Sequence, residues 1–138
     1  MNLDQQTVNS MIEAQLASCE GQEKITLIIT GHQDDAAAAK ATFFNIQAKK
    51  YDTNGSVVKT SEERYRYSQL LDFNESLILD YGNIRILRLF PPKKWVGNKS
   101  TDFVTQRQEA LQKWLNELVE DEETSSDPKI LRFFKLIE

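Results

Sequence analysis

Hydrophobic and polar positions along the chain follow two periods, and the change falls near the middle. From Lys24 to Thr30 the run KITLIIT is rich in β-branched residues and predicts a strand. The polar, alanine-rich stretch GHQDDAAAAK after it predicts a connection, and ATFFNIQAKKYD predicts a second strand. Thr53-Asn54-Gly55-Ser56 then supplies an Asn-Gly turn whose residues tolerate positive φ, the strongest short hairpin signal. A third strand follows in VVKTSEERYRY, so the first half is predicted to be an antiparallel three-stranded meander.

The second half has a helical period. SQLLDFNESLILDYG places Leu70, Leu71, Phe73, Leu77 and Ile78 largely on one side of a helix, with Ser68 as N-cap and Gly82 as a natural stop. After a long irregular segment, TDFVTQRQEALQKWLNELVEDEE carries Phe103, Val104, Leu111, Trp114, Leu115 and Leu118 at three-to-four spacing, a strongly amphipathic helix with Trp114 in the core. Asp127-Pro128 reads as an N-cap followed by proline at the first helical position, opening a helix through Leu131, Phe134 and Leu136. Ahead of the strands, Met1 to Gly21 has Val8, Met11, Ile12, Gln15 and Leu16 at helical spacing, which suits either a short amphipathic helix or a loosely docked extension. Strands first and helices afterwards give an α+β domain over residues 22–138, with helices on one face of a small sheet and residues 1–21 as an N-terminal extension.

Composition narrows the function. A chain of 138 residues, 40% hydrophobic, supports one core and is too short for two ordinary domains. Its formal net charge of −4 argues against a general nucleic-acid binder, so any basic site must be local. Cys19 is the only cysteine, which excludes a disulfide framework and a cysteine-rich zinc site and fits a reducing compartment such as the cytosol. No apolar run approaches the roughly 20 residues of a membrane span, so membrane contact is expected to be peripheral. Enzyme readings find little: there is no phosphate-cradling glycine loop, no paired-histidine metal spacing and no nucleophile motif. The single histidine, His32, falls in the expected connection, and neither a cofactor nor a metal is expected.

Against this acidic background the segment RLFPPKKWVGNKS, Arg88 to Ser100, stands out with two prolines, three lysines and no acid. It lies between RYRYSQL, at the strand-to-helix junction, and RQEALQKWL on the long helix. In this order and spacing the three segments resemble the Phox-homology (PX) family of phosphoinositide-binding domains, with a sorting-nexin-like role, over Gln22 to Glu138. The resemblance implies a three-stranded antiparallel meander followed by a helical subdomain with a proline-rich loop. It also implies roles residue by residue. Arg66 would hold the 3-phosphate of phosphatidylinositol 3-phosphate, Tyr67 would stack under the inositol ring, Lys93 would meet the 1-phosphate, and Arg107 would hydrogen-bond the ring hydroxyls at positions 4 and 5. Trp95 and Val96 match the apolar pair that enters the bilayer interface, with Lys94 and Lys99 as electrostatic contacts. Such a module would sit in the cytoplasm and attach peripherally to endosomal or vacuolar membranes. Two departures are visible. Gln69 and Leu70 stand where the family often has an acid and a phenylalanine, and the first strand connection offers only alanines where some relatives insert a bulky side chain. The second implies a single insertion loop and weaker anchoring.

Elementary chemistry supports these roles. A planar guanidinium meets two phosphate oxygens at once with charge-assisted bonds, which favours arginine at position 66. Pro91 and Pro92 restrict the backbone towards extended geometry and hold Lys93 and Lys94 forward, while a tryptophan suits the headgroup boundary. The net acidity does not defeat a basic loop, because exposed charges beyond roughly 8 Å are largely screened at physiological salt. The alternative is a protein-interaction adaptor with the same fold, binding a partner through the N-terminal extension or the Arg85 to Leu89 segment RILRL. The acidic run VEDEETSSD reads as a solvated helix end and loop.

Overall fold

The computed structural model describes residues 2–17, 23–35, 41–93 and 101–138. Cys19 lies outside them. A 12-residue helix α1 (Gln5–Leu16) precedes three strands, β1 (Lys24–Asp35), β2 (Ala41–Tyr51) and β3 (Val57–Arg66), which form one antiparallel sheet in the order β1-β2-β3. The helices α2 (Tyr67–Tyr81), α3 (Arg85–Arg88), α4 (Thr101–Glu120), α5 (Glu122–Ser125) and α6 (Pro128–Phe133) follow. The architecture is the α+β meander-then-helices arrangement that the two periods predict.

Four local features differ from the sequence expectation, each for a physical reason. First, β1 does not stop at Thr30: the register shifts between Ile29 and Gly31, and pairing then continues to Asp35 opposite Ala41. An extra residue of this kind reverses which face the following side chains take. His32 therefore belongs to a strand, paired with Phe44, and its Nδ1 lies 2.6 Å from Gln108 Oε1. Second, the β2–β3 turn is longer than two residues. The Gly55 N–H donates to the Asp52 carbonyl at 3.0 Å, Asp52 Oδ1 accepts from the N–H groups of Asn54 and Ser56, and Gly55 takes φ +85°. Asn54 does not share the positive φ; Lys135 is the only non-glycine that does among the described residues. This is a three-residue turn with glycine at the left-handed position.

Third, the N-cap of α2 is Arg66, with the helix starting at Tyr67, not Ser68, because Gln69 Oε1 accepts the Arg66 N–H at 2.8 Å and fixes the entry two residues earlier. Its C-terminal stop is Gly82, at φ +79°, whose N–H reaches the Ile78 carbonyl at 2.8 Å. Fourth, the last helix begins as expected, with the Asp127 side chain accepting from the Lys129 N–H and Pro128 in the first turn, but it ends at Phe133. Lys135 reverses the chain at φ 63°, and the Leu136 N–H then returns to the Leu131 carbonyl at 2.8 Å, so Leu136 is buried from outside the helix. The acidic run is helical in part: Asp121 caps α5, and the buried Thr124 hydroxyl donates to the Leu118 carbonyl.

The main core lies between the sheet and the helices that follow it. Ile25, Leu27 and Ile29 of β1, Phe44, Ile46 and Ala48 of β2, and Tyr65 of β3 pack against Leu70, Phe73 and Leu77 of α2, Leu111, Trp114, Leu115 and Leu118 of α4, and Phe134. A smaller cluster forms on the opposite face, where Val8 and Ile12 of α1 cover Ile28 and Tyr51. Being covered on both faces explains why KITLIIT is apolar without alternation. At the free edge of β1, side-chain amides complete the ladder. Gln15 of α1 accepts from the Leu27 N–H and donates to the Leu27 carbonyl, both at 2.9 Å. Gln112 of α4 accepts from the Ile29 N–H at 2.7 Å and donates to the Leu27 carbonyl at 3.0 Å, and Asn116 Oδ1 accepts from both glutamines. The edge is closed by this seam, which also fixes α4 against the sheet.

Candidate functional site: a pocket at the end of the third strand

The β3–α2 junction and the first turns of α4 enclose a cavity of about 370 Å³. Arg66, Tyr67 and Ser68 line it from the junction, Phe103, Val104 and Arg107 from α4, and Thr42 and Phe44 from β2. Two of these described lining residues are arginines and none is acidic.

Each side chain is positioned differently. Gln69 accepts from the Arg66 backbone N–H, so the bond that fixes the helix start does not use the guanidinium. Arg66 is exposed, and its guanidinium carbon sits 6.0 Å from the ring centre of Phe43, which Arg64 approaches more closely at 4.7 Å. No carboxylate pairs with Arg66 among the described residues. Tyr67 is half-buried and doubly fixed: its hydroxyl donates to the Pro91 carbonyl at 2.6 Å, and its ring lies 5.4 Å from that of Phe90. Phe90 meets Trp114 edge-on at 4.9 Å, so Tyr67 is linked ring by ring to the core.

Arg107 crosses the cavity from α4. Its guanidinium carbon is 3.9 Å from the centre of the Tyr67 ring and 4.4 Å from that of Phe103, and Nη2 donates to the Lys93 carbonyl at 2.9 Å. Its Nε is buried with no hydrogen-bond partner, an uncommon condition for a charged donor. Burial lowers the Arg107 pKa from its ordinary value and raises that of the Tyr67 hydroxyl, which the nearby Arg107 charge opposes. At neutral pH the pair is thus a cation against a neutral phenol. Because Tyr67 holds the Pro91 carbonyl and Arg107 the Lys93 carbonyl, the pocket walls also tether the start of the proline loop.

Of the residues singled out by sequence, the structure brings Arg66, Tyr67 and Arg107 to one cavity. Lys93 is exposed, does not line the cavity and joins it only through its carbonyl. Lys94, Trp95, Val96 and Lys99 lie outside the described residues. Sequence reasoning missed Phe103 and Phe44. Phe103 stands one helical turn before Arg107, a spacing that puts both on one face, and the alternation of ATFFNIQ puts Phe44 on the face of Ile46. The segment Arg85–Leu89 packs inward through Ile86 and Leu87, and Arg85 pairs with Glu117 at 2.8 Å.

Among the described residues no helix is long and apolar enough to cross a membrane, and no group of histidine, cysteine and carboxylate side chains could hold a metal ion. No curated protein matches the chain by sequence. A designed CISK-PX domain shares the fold with a TM-score of 0.64 at 18% identity, over 80% of this chain and 98% of that one. The mouse SNX19 PX domain with bound sulphate ion does so with a TM-score of 0.57 at 21% identity, over 83% of this chain and 99% of that one. The PX domain family model matches residues 53–136, which include the β3–α2 junction, the proline loop and the whole of α4. The chain therefore belongs to the PX domain family, whose members are generally non-enzymatic phosphoinositide-binding modules that target membranes.

Proposed function

We propose that the pocket binds the headgroup of phosphatidylinositol 3-phosphate and so recruits the chain from the cytoplasm to endosomal or vacuolar membranes, in support of protein sorting. The observation that carries this reading is the convergence of Arg66 and Arg107 on one cavity lined by Tyr67, with no carboxylate among the described lining residues and a buried Arg107 Nε that lacks a partner. Its volume falls within the roughly 300–1,000 Å³ usual for small-molecule sites. Arg66, which has no carboxylate partner among the described residues, takes the 3-phosphate; Arg107 takes the ring hydroxyls; Tyr67 supports the inositol ring. Lys93 reaches the 1-phosphate from the rim, and the loop beyond it contributes Trp95 and Val96 to the interface and Lys94 and Lys99 to the anionic surface. Residues 22–138 form the lipid-binding unit, to which 1–21 add a helix that covers the far face of the sheet.

The adaptor alternative has less support. The apolar residues of α3 and α1 that would grip a partner, Ile86 and Leu87, Val8 and Ile12, are already buried against this chain. Co-sedimentation with liposomes carrying each phosphoinositide separately tests the proposal, using wild type and Arg66→Ala after circular dichroism shows both folded. Selective pelleting with the 3-phosphate lipid, lost in the variant, is the expected result. A folded wild type that pellets with none of them overturns it.

A further inference from the structure

The proposed headgroup and Arg107 compete for one surface. With its guanidinium carbon 3.9 Å from the Tyr67 ring centre, Arg107 occupies the space over one face of that ring. An inositol ring stacked on that face takes the guanidinium's place. Arg107 must nevertheless remain at the pocket wall to serve the ring hydroxyls, and an arginine freed from its stacking partner samples many rotamers. Two other contacts are available to hold it: the Lys93 carbonyl, on a loop that itself meets the membrane, and Phe103, one turn earlier on the same helix, with its ring centre 4.4 Å from the guanidinium carbon. Phe103 is half-buried, lines the same cavity and belongs to α4, which the buried Gln112 seam fixes to the sheet.

We infer that Phe103 is a positioning residue: it is the fixed aromatic surface that keeps the Arg107 guanidinium facing the cavity when the headgroup takes over the Tyr67 ring. The inference rests on the proposed lipid site. It assigns to Phe103 a function in binding that a merely space-filling residue would lack, since a cation is attracted to the face of an aromatic ring and not to an aliphatic side chain of similar size.

Affinity for vesicles carrying phosphatidylinositol 3-phosphate, measured by surface plasmon resonance for wild type, Phe103→Leu, Phe103→Met and Phe103→Tyr, tests the inference. Thermal melts establish that each is folded. Phe103→Leu and Phe103→Met are expected to weaken binding by roughly three- to thirty-fold, the range of one cation–π contact, while Phe103→Tyr stays within about twofold of wild type. Equal binding by Phe103→Leu and wild type overturns the inference, and so does a Phe103→Tyr variant as weak as Phe103→Leu. A readout without lipid separates this from failure of the site itself. The Arg107 side-chain resonances, shielded by two rings in the free protein, should shift towards those of exposed arginines in Phe103→Leu. If they do and wild type binds no phosphoinositide, the lipid reading fails and the positioning role fails with it; if wild type binds and Phe103→Leu is neutral, only the role of Phe103 fails.

Discussion

Helix α4 carries polar side chains into two buried or half-buried places, and it treats them in opposite ways. At the β1 seam the amides of Gln112 and Asn116, with Gln15 opposite, engage Leu27 and Ile29 and one another in a closed set of bonds. Further towards the start of α4, at the pocket, Arg107 has a buried Nε with no partner, and across the cavity Arg66 has no carboxylate partner among the described residues. The first arrangement is complete without anything else. The second is incomplete, and because an unsatisfied buried donor costs more than a made hydrogen bond returns, a site of this kind is best explained by a ligand that completes it. On the proposed lipid site, the same helix separates polar groups that hold the fold from polar groups that serve binding.

This contrast predicts a clean dissociation. Arg107→Ala should cost about 1.5–3 kcal/mol of binding to phosphatidylinositol 3-phosphate vesicles, the scale for hydrogen bonds made by a charged group, while its melting temperature stays close to that of wild type. Gln112→Leu should do the reverse. It leaves the Ile29 N–H buried and unpaired and should lower the unfolding free energy by about 1–3 kcal/mol in urea titrations, with lipid affinity of the folded protein retained. A Gln112→Leu protein that is stable but no longer binds, or an Arg107→Ala protein that unfolds, would dissolve the distinction.

How far such distinctions can be read in advance depends on whether the signal is local. The three strands and the two long helices are legible because each carries its own period, and Arg66, Tyr67 and Arg107 are legible because each sits in a short segment with a recognisable order. The Asn-Gly pair marks the hairpin, yet the turn type depends on the Asp52 carboxylate, which gathers two N–H groups from its own loop. The extension of β1 through Gln33 and Asp35 is invisible, because those polar residues have no alternation of their own and are held by pairing with β2 across the shift at Thr30. Gln15 falls on the apolar stripe of its helix by spacing alone, but its bonds to Leu27 depend on the distant chain it meets. Phe103 is intermediate: its spacing to Arg107 is in the sequence, while the gap beside Tyr67 that gives the spacing a use is tertiary.

Beside the pocket, Lys93 is exposed, and its carbonyl meets Arg107. Lys93→Ala should weaken vesicle binding by on the order of 1 kcal/mol, an effect that shrinks as salt is raised because exposed charges are screened. The loss from Arg107→Ala should be less salt-sensitive, since that group is partly removed from water. Equal salt dependence for the two variants would mean that Arg107 also acts as a diffuse surface charge.

The smallest effect belongs to the last turns of α4, where Arg85 pairs with Glu117 at 2.8 Å, the arginine largely exposed. The Arg85 hydrogen bond, more than its charge, holds the Glu117 carboxyl below its ordinary value near 4.5, while Glu117 in turn pushes Glu120 up. A carboxyl depressed by folding adds stability above its unfolded pKa and loses it as the pH falls through the folded value. Arg85→Ala should therefore cost less than about 1 kcal/mol at neutral pH, and the gap from wild type should close as the pH falls through the depressed Glu117 value and that carboxyl becomes neutral. Urea titrations at several pH values measure it. A gap that persists in acid would show that Arg85 stabilises by packing its stem on α4, and the pair would then belong with the structural seam and not with the solvent-facing charges.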